Sequence, residues 1–390
     1  MTNSWEDGTL GDLCSFQAGG AFPRSEQGHV SGDYPFIKVS DMTLPANSKR
    51  IVQANNWVSI ETAERMRLKL APAGAVAFAK IGEGLKAERL RQITRPTAMD
   101  NNMMAAVPKS GKVDERFLLY LMESVNIASW AQGSALPYLS QSVLSEIPVR
   151  TPGLSEQRAI AATLGAIDDK IESNRRATAV GESLIRALVE SALDASEGVG
   201  GTLGDYCRLV KAPVKVEEIR ADDNYIGLEH MPRGSIFLTE WEKAEGLGSN
   251  KTAFQRGDVL FGKLRPYFKK VGIAPVNGVC STDILAVRPK DPRDLALIAV
   301  VAASDGLIDS LSAGSTGTRM PRASWKDLAA WRVPVLTPAE RAELSDRVAP
   351  LTERLEQLTF ECRGLAALRD ALLPELLSGR IRVPAEGVAA

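Results

Sequence analysis

Histidine and cysteine are scarce in this chain, and neither is arranged for chemistry. Only His29 and His230 occur in 390 residues. That excludes multi-histidine metal sites and leaves serine, threonine or cysteine nucleophiles without an imidazole base. Four scattered cysteines, Cys14, Cys207, Cys280 and Cys362, form no CxxC pair and no dense framework, a usage that fits a reducing cytosol better than secretion. No apolar run approaches the ~18 residues a membrane span requires. The opening segment MTNSWEDGTLGD lacks the basic and apolar regions of a signal peptide. The expected location is the cytoplasm.

Catalytic fingerprints are missing as well. No dinucleotide or methyl-donor glycine motif follows a strand, and no Asn-Pro-Pro-aromatic motif for amino-group methylation of a base is present. The segment from Gly257 to Leu264 approaches a phosphate-binding loop but has Leu264 where the magnesium-binding hydroxyl belongs, and its Val-Leu-Phe interior is strand-like. Asp168-Asp169-Lys170 has the D-x-K spacing of nuclease sites but falls inside a long amphipathic stretch, where a solvated face is expected. Cys14 and Cys207 sit beside strand-like residues as small core side chains. Neither a catalytic residue nor a metal site nor a cofactor is expected in this chain. Net charge is only −1, so any attraction to a polyanion must be local.

What the chain does have is itself, twice. Gly8-Thr9-Leu10-Gly11-Asp12 returns as Gly201-Thr202-Leu203-Gly204-Asp205, displaced by 193 positions, with Cys14 matched by Cys207. Gly74, Val76, Phe78 and Lys80 return as Gly257, Val259, Phe261 and Lys263, displaced by 183, and Asp100 pairs with Asp283 at the same displacement. Pro108-Lys109 matches Pro289-Lys290, and Gly133-Ser134 matches Gly314-Ser315. Ordered matches at a nearly constant displacement mark a tandem repeat. With 44% apolar and 24% charged residues, each copy has the composition of a globular domain.

Each copy begins with short apolar runs punctuated by turns such as Ala73-Gly74 and Asn277-Gly278, the pattern of an α+β globule. Each then becomes helical. Ile160, Leu164, Ile167 and Ile171 lead to Ile185, Leu188 and Ala192. In the second copy Leu344, Val348, Leu351, Leu355, Leu358, Cys362, Leu365, Leu372 and Leu376 continue the same steps of four and three. Such a seam calls for a partner helix. Pro152 and Pro338 precede the helices, with Glu156 and Glu340 in the first turns, where a carboxylate suits the dipole. About 40 residues of helix extend roughly 60 Å. The expectation is an antiparallel pair within the chain; Asn174, Thr178 and Gly181 interrupt the first seam, weakening its packing while helping to fix its register. The alternative is packing of each helix on its own globule.

Local charge recurs with the repeat. Residues 65–95 carry Arg65, Arg67, Lys69, Lys80, Lys86, Arg89, Arg91 and Arg95 against two glutamates, a net of +6, and residues 251–293 also total +6. Residues 154–197 total −3. Arg265-Pro266-Tyr267-Phe268-Lys269-Lys270 interleaves aromatics with cations, a pattern suited to phosphates and bases. The expected nucleic-acid-contacting residues are Lys80, Lys86, Arg89 and Ser134 in the first copy. In the second they are Lys263, Arg265, Tyr267, Lys269, Lys270, Thr318 and Arg319. Lys80 and Lys263 are expected at phosphates, Arg265 and Arg319 at bases.

These features together resemble the specificity subunit of a type I restriction–modification system. The resemblance rests on the order globule, helix, globule, helix, up to about Arg382, and on several segments. Pro148 to Arg158, with Glu156-Gln157, is similar to the family's proline-rich approach to its first long helix. Gly257 to Phe261, Leu264-Arg265-Pro266-Tyr267 and Ser281-Thr282-Asp283 are similar to its target-recognition domains, as are Phe78 to Gly82 and Asp100-Asn101-Asn102. Ala339-Glu340-Arg341 departs from the Glu-Gln pattern. The resemblance implies target-recognition domains at 1–152 and 199–336, spacer helices at 153–198 and 337–382, and a flexible tail at 383–390.

It further implies a non-catalytic chain that reads a bipartite double-stranded DNA target, one half per globule. Two modification subunits holding S-adenosylmethionine would bind the helices, with Ile160, Leu164, Ile167 and Ile171 at the coiled-coil interface. Restriction subunits using ATP and Mg would join where present, and no membrane would be involved. A stand-alone DNA-modifying or DNA-cleaving enzyme and a coiled-coil scaffold for proteins remain the alternative classes.

Overall fold

A computed structural model of the chain describes residues 5–133, 136–196, 198, 200–313 and 321–383. It divides into two compact units, Met1–Glu172 with Arg363–Ala390, and Ser173–Cys362. Each unit therefore holds one globule and part of both long helices.

The repeated Gly-Thr-Leu-Gly-Asp segments are structural devices. In the first unit Thr9 donates its N–H and its hydroxyl to Asp12 Oδ2, both at 2.8 Å. In the second, Thr202 does the same to Asp205 at 2.8 and 2.9 Å. Each capping pair starts a one-turn helix that buries Leu10 or Leu203. The threonine bonds hold both carboxyls below the usual aspartate value. The next residue, Cys14 or Cys207, is buried with its thiol on the carbonyl of Leu10 or Leu203. Burial pushes both thiols up to about 12, which suits small core side chains rather than nucleophiles.

The sheets repeat with the same register. In the first unit Cys14–Ala18 pairs antiparallel with Met103–Pro108, Cys14 opposite Pro108, and Val76–Ala79 pairs on the other side, Phe78 opposite Met104. In the second, Cys207 stands opposite Pro289 and Phe261 opposite Leu285. Arg91–Ile93 and Val271–Ile273 complete the correspondence. The strands Val76–Ala79 and Val259–Gly262 are buried throughout, which explains their unbroken apolar runs. A second sheet in each unit contains one parallel pair, Tyr34–Ile37 with Ala98–Met99 and Asn224–Ile226 with Gly278–Cys280. The architecture is the expected α+β fold, written twice.

This register corrects one equivalence. Met99 and Cys280 occupy the same ladder position, so the counterpart of Asp100 is Ser281, and that of Asp283 is Asn102. The shared feature is the turn. Asn102 donates its N–H to Asp100 Oδ1 at 3.0 Å, and Asp283 donates to Ser281 Oγ at 3.2 Å. Aspartate and serine make the same local bond, so the aspartates matched by sequence are displaced by two residues.

The long helices span Leu154–Ala195 and Pro338–Leu377. The second passes through Pro350 and Pro374, each of which removes a donor from the helical ladder. They run antiparallel within each unit. In the first unit Arg369 reaches Asp168 at 3.0 Å. In the second a Cβ on Gly181 would lie 2.7 Å from Leu355, so the small residue makes room for the leucine. Both expectations about packing hold together, because the seam is shared with the globules. Ile160, Leu164 and Leu376 join the core containing Leu10, Phe78 and Phe117. Ile185, Val189, Leu344, Val348, Leu355 and Leu358 join the core containing Leu203, Phe261 and Ile298. Full burial of each such side chain contributes about 1.5–3 kcal/mol. Ile171 is buried too, while Ile167 is half-buried.

Asn174 is buried with its side-chain amide nitrogen unpartnered among the described residues, and Thr178 bonds its carbonyl at 2.9 Å. The departure at Arg341 is absorbed locally. Gln157 accepts the Asp114 N–H at 2.9 Å, whereas Arg341 donates to the Asp294 carboxylate at 2.8 Å. Each fastens its long helix to the start of the next-packed helix, by an amide in one unit and an ion pair in the other. No single helix among the described residues is long and apolar enough to cross a membrane.

Candidate nucleic-acid interface

The strands ending just before Lys80 and just before Lys263 open into the same backbone frame. Lys80 donates its N–H to the Asn102 carbonyl at 2.8 Å, and its own carbonyl accepts from Leu139 at 2.9 Å. Lys263 donates to Asp283 at 2.8 Å and accepts from Ala323 at 2.9 Å. Two residues on, Gly82 donates to Pro137 at 2.8 Å and Arg265 to Pro321 at 3.0 Å. Between these bonds Ile81 bridges Tyr138, and Leu264 bridges Arg322, both antiparallel. Ser140 and Ser324 then cap short helices, each accepting a backbone N–H at 3.2 Å. The identical prolines and serines of Pro137–Ser140 and Pro321–Ser324 were the sequence signal for this frame, but two differing residues between them hid it.

The frame carries a left-handed residue at the same place in both units. Gly82 has φ +67° and Arg265 φ +51°. Glycine adopts this conformation freely, whereas an L side chain costs about 1–2 kcal/mol. The second unit keeps an exposed arginine there against that preference. Its guanidinium lies 6.0 Å from the Phe268 ring, and Arg233 covers the same ring at 4.0 Å. Tyr267 packs edge-on to Phe268 at 4.8 Å and is half exposed. Lys269 is also left-handed, at φ +50°.

The expected contact residues differ in how free they are. Lys80 is half-buried, and its ammonium has no ion-pair partner among the described residues; Arg89 is exposed. Lys86 pairs with Glu83 at 2.6 Å. Lys263 donates its ammonium to the Thr282 carbonyl at 2.6 Å. Lys269 pairs with Asp305, and Lys270 donates to the Leu228 carbonyl. Burial, with Arg233 nearby, holds Lys270 below the usual lysine value. Ser134, Thr318 and Arg319 lie outside the described residues.

Parts of both basic segments turn inward. Arg91 donates to the Asn47 carbonyl at 2.5 Å. Arg288 forks onto buried Asp258 at 2.7 and 2.8 Å, and Lys251 is buried against Ser249 at 2.8 Å. The +6 totals therefore overstate the cationic face in each unit.

The D-x-K segment is corrected more sharply. Asp168 is buried rather than solvated, accepting from Tyr120 at 2.7 Å and Arg369 at 3.0 Å. Asp169 accepts from Arg116 and Arg50, each at 2.8 Å. These carboxylates are structural pairs. Elsewhere among the described residues Glu229, His230 and Glu242 approach one another within 4.8 Å. His230 Nδ1 accepts the Gly227 N–H at 2.9 Å, a loop tie that needs no ion.

Residues 2–180 match the family described as the type I restriction modification DNA specificity domain. That match covers the first globule and the start of the first long helix, and the second unit repeats the same framework. The chain is 21% identical over 426 aligned residues to the type I restriction enzyme EcoDI specificity subunit of Escherichia coli, covering 97% of this chain and 88% of that one. It is 22% identical to the MjaIX specificity subunit of Methanocaldococcus jannaschii, covering 94% and 91%. Among solved structures, the type I S subunit from M. genitalium shares the fold with a TM-score of 0.62 at 15% identity, covering 96% and 97%.

Proposed function

We propose that this chain recognises double-stranded DNA as a bipartite target, with one half-site read by each unit. The observation that carries the reading is the Lys80–Gly82 frame returning as Lys263–Arg265, bond for bond, in a chain whose first part matches a DNA specificity domain. A frame that repeats while its mounted side chains differ suits two readers of two sequences. Base-edge contacts specify, and flanking cations position the surface on phosphates.

In this reading the chain also serves as the platform for other components of a restriction–modification system, two modification subunits and restriction subunits where present. The long helices would be the spacer and docking element. S-adenosylmethionine would be held by the modification subunits, and ATP and Mg by the restriction subunits. The chain itself would hold no cofactor.

The test is domain exchange. Replacing residues 1–150 by the corresponding domain of a relative, then mapping methylated sites in cells, should alter one half of the recognised sequence. The other half should stay as it was. Change in both halves, or in neither, defeats the assignment of one half-site to each unit.

A further inference from the structure

The geometry points to Tyr138 and Arg322 as equivalent base-reading positions, one for each half of the DNA target, an inference that rests on the proposed DNA reading. Neither belongs to the basic or glycine-marked segments visible in the sequence. The backbone brings them to one place. Each is the bridge partner of the residue following the frame lysine, Tyr138 with Ile81 and Arg322 with Leu264. Each is preceded by a proline whose carbonyl holds the left-handed residue and followed by a residue that bonds the frame lysine. Their backbones are fixed on both sides by these bonds.

Their side chains are exposed and chemically unlike. Tyr138 is 45% exposed beside Leu136, which is 59% exposed. The first unit thus offers an exposed aromatic group beside Gly133 and an aliphatic group beside Gly82, which adds no side chain. The second offers Arg322, whose side chain is 64% exposed, with Arg265 on the same frame. Arg322 lies 3.5 Å from Asp283, which aims the guanidinium without burying it. Asn102 fills the Asp283 place in the first unit and supplies no such charge.

A guanidinium held this way matches the paired acceptors of guanine in the major groove. A tyrosine with a neighbouring leucine matches the apolar edge presented by a thymine methyl, with the hydroxyl left for a base edge or bridging water. A rigid mount with interchangeable exposed side chains is the arrangement expected where two copies must read different base pairs.

The experiment is selection from a pool of randomised double-stranded DNA by the full-length chain, alone and with a modification subunit, followed by sequencing. Wild type is compared with Tyr138→Ala, Arg322→Ala and Arg322→Lys. Arg322→Ala should relax preference at one base pair of one half-site by about 5- to 100-fold. Arg322→Lys, which keeps the charge and loses the fork, should relax it in part. Tyr138→Ala should relax one base pair in the other half-site. All variants should retain the wild-type circular dichroism and melting temperature, because both side chains are exposed. A wild-type motif that the variants leave unchanged, or weaken evenly across all positions, overturns the assignment alone. A wild-type chain that enriches no motif overturns the DNA reading and this assignment together.

Discussion

Arg369, on the second long helix, donates to Asp168 of the first at 3.0 Å, and the Asp168 side chain is only 4% exposed. Tyr120 donates to the other carboxylate oxygen at 2.7 Å. The aspartate next to it, Asp169, is held separately by Arg50 and Arg116. Asp168 is thus shared by the globular core, through Tyr120, and by the partner helix, through Arg369. It fixes the rotation of one helix against the other within the first unit.

A buried pair costs more to break than to replace. Arg369→Ala leaves a buried carboxylate with one partner, and Asp168→Ala removes the acceptor of the Tyr120 hydroxyl and leaves Arg369 only its exposed partner Asp370. Each single variant should lose about 3–5 kcal/mol. The triple variant Asp168→Leu, Arg369→Leu, Tyr120→Phe should recover most of that loss. Urea unfolding of the full chain measures both outcomes. Single losses below about 1 kcal/mol would mean that the carboxylate stays hydrated and ties nothing together.

Arg265 is a different kind of cost. Its left-handed backbone matches that of Gly82 in the other copy, so glycine is the residue the local geometry favours. Arg265→Gly should stabilise the second unit by up to about 1 kcal/mol by relieving that strain. The same change should weaken specific duplex binding and relax one position of the target. Stability rising while recognition falls is the expected signature of a residue kept for contact. Calorimetry and duplex titration on one preparation decide it. A less stable variant would show that Arg265 is held by packing on Phe268 instead.

The sequence made some of these relationships legible and hid others for definite reasons. Gly8–Asp12 and Gly201–Asp205 were visible as a repeat because capping uses backbone-proximal groups that few residue types provide. The helical seam was visible because Leu344, Val348, Leu355 and Leu358 are buried at regular steps. Asp168 was misread because its solvent-facing neighbours set the apparent polarity of that helical face, and its partner lies 201 residues away. Tyr138 and Arg322 were missed because their equivalence resides in backbone bonds, which place no demand on side-chain identity. Arg91 and Arg288 counted as surface charge although both are consumed internally.

The two frame lysines should separate in their salt dependence. Lys80 and Lys263 share a backbone setting, and the sequence casts both as phosphate-binding cations. Their ammonium groups differ. That of Lys80 has no ion-pair partner among the described residues, whereas that of Lys263 donates to the Thr282 carbonyl at 2.6 Å. Lys263 must exchange that bond to reach a phosphate and gains less by doing so. Removing one cation from a phosphate lowers the slope of log affinity against log salt by roughly one and weakens all sequences alike. Lys80→Ala should show that full reduction on cognate and scrambled duplexes equally, and Lys263→Ala a smaller one. Both lysines lie off the core, so melting temperatures should stay within about 2 °C of wild type. Duplex titrations with the full chain at several salt concentrations supply the slopes. Wild-type affinity and slope in the Lys80→Ala/Lys263→Ala double variant would place the DNA-binding surface away from this frame.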